Sequence, residues 1–600
     1  MSVLTVTPVV EMAFGKTWQD EIGEEEWTDI TSYVREAVTD VGRQRQLSRP
    51  EAGVCGLTLS NQDRRFEPGY TSGAYWPDIR IGVPVRITAT PDDSYAMWYG
   101  FVTSWPQTWP GRGGSDSTVK VVAVDGFQFL ALADVSPYPV NVAGLSPFSC
   151  WRQQETEGTD CDDSGSDAND GTYSGSPTLG SAGPLTGNSY AVTYGAAKYM
   201  DAGVPTGSFD ACDEWTWMSW LYRAGTSETV FRMDSANLIV IAVDGSGKIT
   251  VTFDSTITLS GVTETVTAAT ALEASTWTHV TISFADDQTV IYLDGEADKQ
   301  QVVQLAAAAS VTESFRISAS SGGWTGRIAE TSVWDYMLDN GTVQQVAAAT
   351  IGSHPEETAD VRIGRLLDAA GWPAASRDLD TGDSTLTAVD EPGGSALEQI
   401  LRAGVDSEMG YFFQAPDGVM TFFNRGTLSG GAAADSFSDD DYTDVTVGFD
   451  VDSLYTQVRI TLGDGSLIVK GDAEAISAYG PRALERTADI PIADSLDMAA
   501  SLLSRYSTPR VRISQVEFQP ESDSSLYAAL LALSVWDKIT LSRTPPGGGA
   551  ALSNDYWIEG IQHEVTPDEW TVMFSCSPTG DTEAWVLGTS ALDQTTYLGY

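Results

Sequence analysis

Between Trp215 and Ser320 the chain breaks into short strand-like runs: "WTWMSWLYRA", "NLIVIAVDG", "KITVTFD", "WTHVTISF", "TVIYLDG" and "ESFRISAS". Asp-Gly pairs and Gly-rich turns separate them. Runs of this length, rich in β-branched and aromatic residues, suit strands, and Asp-Gly suits the tight turn between antiparallel neighbours. A segment punctuated so often has no room for long helices. Many short strands at regular spacing bury their apolar sides between two sheets, so a β-sandwich is predicted from about Pro147 to about Val343. It opens with a loop-rich stretch, "DDSGSDANDGTYSGSPTLGSAGPLTGNSY".

The two ends have a different texture. Val83–Pro91 and Thr118–Phe127 alternate with period two, and "SYAMWYGFVTSW" lies between them as a partner strand. Beyond His354-Pro355, "TADVRIGRLLDAAGW" places Val361, Ile363, Leu366 and Leu367 at helical spacing, closed by Gly371 and Pro373. "SALEQILRAGV" predicts a second helix, with Ser395 as N-cap and Glu398 completing a capping box. "GYFFQAPDGVMTFFNR" reads as a hairpin about Pro416-Asp417-Gly418. A helix near Leu496–Tyr506, strands at Val511–Phe518 and Lys538–Ser542, and a closing hairpin, "DYWIEGIQHEVTPDEWTVMFSCSP", follow. The expected fold is mainly β, in four segments. These are a β domain at 1–146, the inserted sandwich at 147–350, a helix-hairpin domain at 351–445 and a β domain with a tail at 446–600.

The formal charge of −50 is spread along the whole chain. Such a surface repels nucleic acid and anionic membrane. No run of about 18 apolar residues occurs, so no membrane helix is expected. The opening "MSVLTVTPVVEMAFGK" has no basic stretch ahead of an apolar core, so no secretory leader is expected. The five cysteines form no CxxC pair; Cys150 and Cys161 either bridge a short loop or are buried thiols. Three histidines are too few for multi-His metal sites and weigh against His-based triads.

The middle segment resembles the laminin-G-like, concanavalin-A-like jelly-roll family. "CWRQQETEGTDCDDSGSDANDGTYSGSPTLG" matches its first strand and loop, "WTHVTISFADDQTVIYLDGE" its central hairpin, and "WTGRIAETSVWDYMLDNGTV" its closing strand. The resemblance implies glycan binding. That chemistry needs an exposed ring for a sugar's apolar face and carboxylates or amides for its hydroxyls. Tyr199, Asp201 and Trp324, in predicted loops, are the candidates, with core burial the alternative for the indole. Asp167, Asn169 and Asp170 have the oxygen chemistry for calcium, and equally that of Asx turns. His279 reads as a packed strand residue, Asp294-Gly295 as a hairpin turn and Trp334 as an exposed ring. Hydrolases also use this fold. Glu296 and Asp298 are the nearest carboxylate pair, but no further Glu follows at hydrolase spacing, so no enzyme is expected.

The flanks carry a second resemblance. "EEWTDITSYV", "RQRQLSRPEAGVCGLTLSNQDRRFEPG" and "GVPVRITATPDDSYAMWYGFVTSW" are similar to the N-terminal part of minor tail proteins of long-tailed phages of actinobacteria. "DYWIEGIQHEVTPDEWTVMFSCSP" and "WVLGTSALDQTTYLGY" are similar to their closing segments. The resemblance implies a tail-tip hub of the virion, with β-barrel domains and a helix-hairpin part. It implies a homotrimer that meets the tail tube, the tape-measure protein and other tail-tip proteins. DNA would pass its acidic lumen without specific binding. The inserted sandwich would bind a host cell-surface glycan during adsorption. A secreted or surface glycan-binding protein and, further off, a cell-wall hydrolase are the alternatives.

Overall fold

The structure is a computed structural model. It describes all residues except 1–5, 21–22, 24–25, 44–46, 111–115, 188, 235–237, 307–313, 390–393, 430, 450–452, 510–511, 521–524, 550 and 580–600. The closing stretch "WVLGTSALDQTTYLGY" therefore lies outside the described residues. With 43% of residues in strands and 16% in helices, the chain is mainly β. It forms two compact units, one from 1–134, 356–389 and 394–600, the other centred on 135–355.

In the first unit the two ends of the sequence share one sheet. Strand Val34–Gly42 pairs antiparallel with Leu552–Val565, from Ala37 opposite Val565 to Gly42 opposite Gly560. On one side the sheet continues through Val54–Ser60, Thr118–Val124, Tyr95–Ser104, Pro84–Ala89 and Val9–Met12. On the other it continues through Trp570–Pro578, Arg512–Phe518 and Asp444–Gly448. Gly42 marks the crossing: its φ is +95°, and a Cβ there would lie 2.4 Å from the Glu559 carbonyl oxygen, so only glycine fits. Beside it the buried Arg43 donates from Nε to Glu559 at 2.6 Å. The Arg43 guanidinium also lies 5.3 Å from the Tyr411 ring centre and 5.1 Å from that of Trp536.

The helical part follows the sequence pattern, with two adjustments. Helix Ala359–Ala369 buries Ile363, Leu366 and Leu367, whereas Val361 is 52% exposed on the far side. Helix Ala396–Leu401 is capped by Ser395, whose hydroxyl accepts the Glu398 N–H at 3.3 Å. The capping box is half formed, because the Glu398 carboxylate pairs instead with Arg49 at 2.7 Å. Strands Tyr411–Gln414 and Met420–Phe423 form the expected hairpin.

The second unit is a sandwich of two sheets. One runs Thr178–Ala182, Tyr190–Tyr194, Gly326–Trp334, Trp215–Arg223, Trp277–Ala285, Gln288–Leu293, Glu296–Val302. The other runs Asp160–Cys161, Gly171–Ser174, Tyr199–Asp201, Ser314–Ser318, Glu228–Asp234, Ile239–Val243, Lys248–Phe253, Glu264–Ala271. Between them lies an aromatic core that includes Trp151, Trp215, Trp217, Trp324, Phe231, Phe284 and Phe315. The unit also takes in helix Tyr138–Gly144, upstream of the 147 expected for the insert.

The central strands of the first of these sheets, Gly326–Trp334, Trp215–Arg223 and Trp277–Ala285, are buried on both faces. The sheet's outer side carries a second apolar cluster that joins Met218, Tyr292 and Trp334 to Tyr138 and Val142 of helix Tyr138–Gly144 and to Val343 and Val346 of helix Asn340–Ala348. One expectation changes as a result, that for Trp334. "WTHVTISF" is buried from Thr278 to Phe284 on both sides. Trp334 is not exposed: it is fully buried and its indole N–H donates to the Leu145 carbonyl at 3.1 Å. His279 is a packed strand residue, as read, with its imidazole 3.1 Å from the Tyr138 hydroxyl. Asp294 and Gly295 both have positive φ, the geometry of the tight hairpin turn. All five cysteines, Cys150 and Cys161 among them, are free thiols.

Candidate surface site on the open sheet of the sandwich

The second sheet keeps one face open. Its strands alternate between buried and partly exposed positions, as in Ile239–Val243 and Lys248–Phe253. Antiparallel register then sets which outward side chains meet, since directly paired residues share a face. One row reads Thr172, Asp201, Arg316, Arg232, Val240, Thr252, Thr265 across seven neighbouring strands. The adjacent row holds Ser174, Tyr199 and Ser318.

Tyr199 and Asp201, two residues apart on one strand, therefore stand side by side, and Arg316 from the next strand joins them. Arg316 donates from Nη2 to Asp201 at 2.5 Å and from Nε at 3.1 Å. Its guanidinium lies 5.2 Å from the Tyr199 ring centre. The other Asp201 oxygen accepts the Gly203 N–H at 3.0 Å, which fixes the start of the following loop. Both ion-pair partners keep access to water, at 25% for the Arg316 side chain and 31% for Asp201. The result is a half-exposed ring braced by a guanidinium, with a carboxylate beside it.

Trp324 does not belong to this surface. It is fully buried in the core between the sheets, its backbone N–H donates to Ser318 Oγ at 2.9 Å, and its indole N–H reaches the Arg327 carbonyl at 3.3 Å. The Gly-rich "SASSGG" ahead of it forms the turn that folds this ring inward. An indole with no exposed face cannot stack on a sugar.

The acidic loop is built from turns. Asp163, which sequence reasoning passed over, organises it: Oδ1 accepts the Cys150 and Gly165 N–H groups at 2.6 and 2.8 Å, and Oδ2 accepts that of Asn169 at 3.0 Å. Asp170 accepts the Asp163 N–H at 2.8 Å, and Asp167 accepts the Gly207 N–H at 2.5 Å. Asn169 donates to Val204 and accepts from the Trp151 indole. One oxygen of Asp167 stays buried without a partner. Among the described residues no group of three or more His, Cys, Asp or Glu side chains is placed to hold a metal ion. Glu296 and Asp298 are also engaged, the first with Gln344 and the second with the Ala269 and Thr270 N–H groups.

In the first unit a cavity of about 350 Å³ is lined by Trp18, Trp27, Tyr99, Trp372, Asp20 and Asp417. Trp18 stacks on Phe129 at 5.1 Å and on Trp372 at 6.0 Å, and Arg86 lies 4.5 Å over Trp27. Of these rings Trp372 is buried, whereas Trp18, Trp27 and Tyr99 are partly exposed. Among the described residues no helix is long and apolar enough to cross a membrane.

Residues 170–347 match the family model described as the concanavalin A-like lectin/glucanases superfamily. The similar solved structures include the ligand-binding domain of botulinum neurotoxin serotype D in complex with N-acetylneuraminic acid, at 10% identity and a TM-score of 0.28, with 34% of this chain and 50% of that one covered. They include the binding domain of Paraclostridial Mosquitocidal Protein 1, at 10% identity and 0.28, covering 38% and 57%. Domain 4 of AbnA, a GH43 arabinanase from Geobacillus stearothermophilus in complex with arabinotriose, matches at 14% identity and 0.26, covering 34% and 98%. The chain spans half the length of the neurotoxin domain. No curated protein matches it.

Proposed function

We propose that the chain is a structural protein of a phage tail tip whose lectin-like sandwich binds a glycan of the host envelope. The observation that carries the glycan part is the Tyr199–Arg316–Asp201 cluster, on the open face of a sandwich that matches a lectin superfamily. A braced ring offers a sugar an apolar face, and the neighbouring carboxylate and guanidinium offer hydrogen bonds to its hydroxyls. The tail-tip part rests on the resemblance of both flanks to minor tail proteins. The sheet that unites those flanks supports it, because a surface loop with close ends accepts an inserted domain. The homotrimer, the tail-tube and tape-measure partners and the virion location belong to the same proposal. The role is binding without catalysis: the nearest carboxylate pair, Glu296 and Asp298, is spent on structural hydrogen bonds.

Two experiments test it. Retention of the full chain on purified host cell wall, compared with the Tyr199→Ala variant, tests glycan binding; equal retention of both would sink that part. Electron imaging of particles labelled on this chain tests location. Label at the distal tail with threefold symmetry is expected, and label elsewhere, or none on the particle, overturns the tail-tip reading.

A further inference from the structure

Next to the cluster stands Arg232, a cation without a counter-charge among the described residues. Arg232 is directly opposite Arg316 on the adjacent antiparallel strand, so the two side chains project from the same face. Like charges in that relation repel. Asp201 relieves only part of this, because it pairs with Arg316 from the strand on the other side. Among the described residues Arg232 has no hydrogen-bond or ion-pair partner, and its Nε is shielded from water with nothing to donate to. A shielded donor without an acceptor is a net cost to folding.

The setting makes this placement pointed. The segment 147–350 holds only eight Lys or Arg residues, in a chain of net charge −50, and two of them meet here. Carboxylates are abundant in the chain, yet among the described residues none is hydrogen-bonded or ion-paired to Arg232. Along the same row Thr172 lies beyond Asp201, and Thr252 and Thr265 lie beyond Val240 with their hydroxyls 3.1 Å apart.

We infer that the paired guanidiniums of Arg232 and Arg316, beside Tyr199, form a subsite for an oxyanion carried on a sugar chain, so that the preferred ligand is an acidic rather than a neutral glycan. The inference rests on the glycan-binding reading and specifies its chemistry. Arg232 supplies planar N–H donors that match a carboxylate or phosphate edge. Arg316, already held by Asp201, presents its remaining positive field from the other side. Tyr199 takes the sugar ring attached to the anion. The anion removes the repulsion between the two arginines and gives Arg232 its missing acceptors, so binding and local stability rise together.

The test uses the full chain as wild type, Arg232→Gln and Arg232→Lys. The probes are polygalacturonate (carboxylate), poly(glycerol phosphate) (phosphodiester), a neutral galactan and inorganic phosphate alone. Affinity and the thermal unfolding midpoint are read for each pair. At least one acidic polymer should bind wild type about tenfold or more tighter than galactan and raise its midpoint. Which one does so identifies the anion. Arg232→Gln should lose that preference and that shift while its ligand-free midpoint stays level or rises. Arg232→Lys should keep part of both. Equal binding of acidic and neutral polymers by wild type and Arg232→Gln overturns the acidic subsite and leaves glycan binding standing. Stabilisation by inorganic phosphate that depends on Arg232, with no binding of any polymer, upholds an anion site but overturns the glycan ligand. No binding of any probe, with unfolding unchanged, overturns both.

Discussion

The Tyr138 hydroxyl lies 3.1 Å from Nε2 of His279, and both residues are fully buried. Tyr138 comes from a short helix ahead of the sandwich strands, and His279 from the middle of a central strand. The contact seals the outer face of a sheet that would otherwise meet water. Burial pulls the imidazole pKa down from 6.5 to about 3. The folded state thus keeps His279 neutral where the unfolded chain would protonate it. The contribution is full above pH 6.5 and is lost progressively as pH falls toward 3. Unfolding free energies from urea titrations followed by tryptophan fluorescence should drop across this window, by up to about 4 kcal/mol from this group. His279→Phe should flatten the slope. An unchanged slope in that variant would assign the acid sensitivity to other groups.

The same contact sets the limits of an autonomous sandwich. A fragment of 135–355 keeps Tyr138 and Val142 against Trp334 and Tyr292, whereas 147–350 exposes that apolar patch. Both fragments should be expressed and melted. The longer one should unfold cooperatively at the higher temperature, and the shorter one should bind a hydrophobic dye such as ANS. Identical melting curves would show that the helix adds nothing.

Trp324 and Tyr199 should separate stability from recognition. Trp324→Ala removes a fully buried indole and should cost about 3–5 kcal/mol of stability. Tyr199→Ala removes a half-exposed ring and should cost little stability while weakening glycan retention severalfold, in line with about 1 kcal/mol for one stacked ring. Chemical denaturation and pull-down on both variants give the comparison. A stable Trp324→Ala protein that loses only binding would reverse the assignment.

In the first unit, Arg43→Ala would leave the Glu559 carboxylate buried with no cation beside it. Breaking one partner of such a pair costs about 3–5 kcal/mol. A double variant, Arg43→Met with Glu559→Leu, should recover much of that loss. Urea unfolding of the single and double variants measures the coupling, and additive losses would mean the pair is not the unit that matters.

Much of the architecture was legible in the sequence because it is local. The period-two runs, the Asp294-Gly295 turn, the Ser395 cap and the hairpin about Pro416-Asp417-Gly418 all depend on neighbours within a few residues. Propensity, turn chemistry and capping act at that range, so strands, helices and a mainly β fold with a sandwich in the middle followed directly. Tertiary structure decided which faces see water and which distant residues meet. Trp334 reads as exposed until helices Tyr138–Gly144 and Asn340–Ala348 cover its sheet, and Trp324 follows a Gly-rich turn that folds it inward. Arg232 and Arg316 are separated by more than eighty residues of sequence, and only antiparallel register sets them opposite one another. "FRMD" and "FRIS", two strand runs with an arginine on the polar side, were the one hint of this in the sequence. The pairing of Val34–Gly42 with Leu552–Val565 likewise joins the two ends of the chain. Hydrogen-bond ladders and apolar burial select such partners from the whole folded chain, and a local pattern carries no record of that choice.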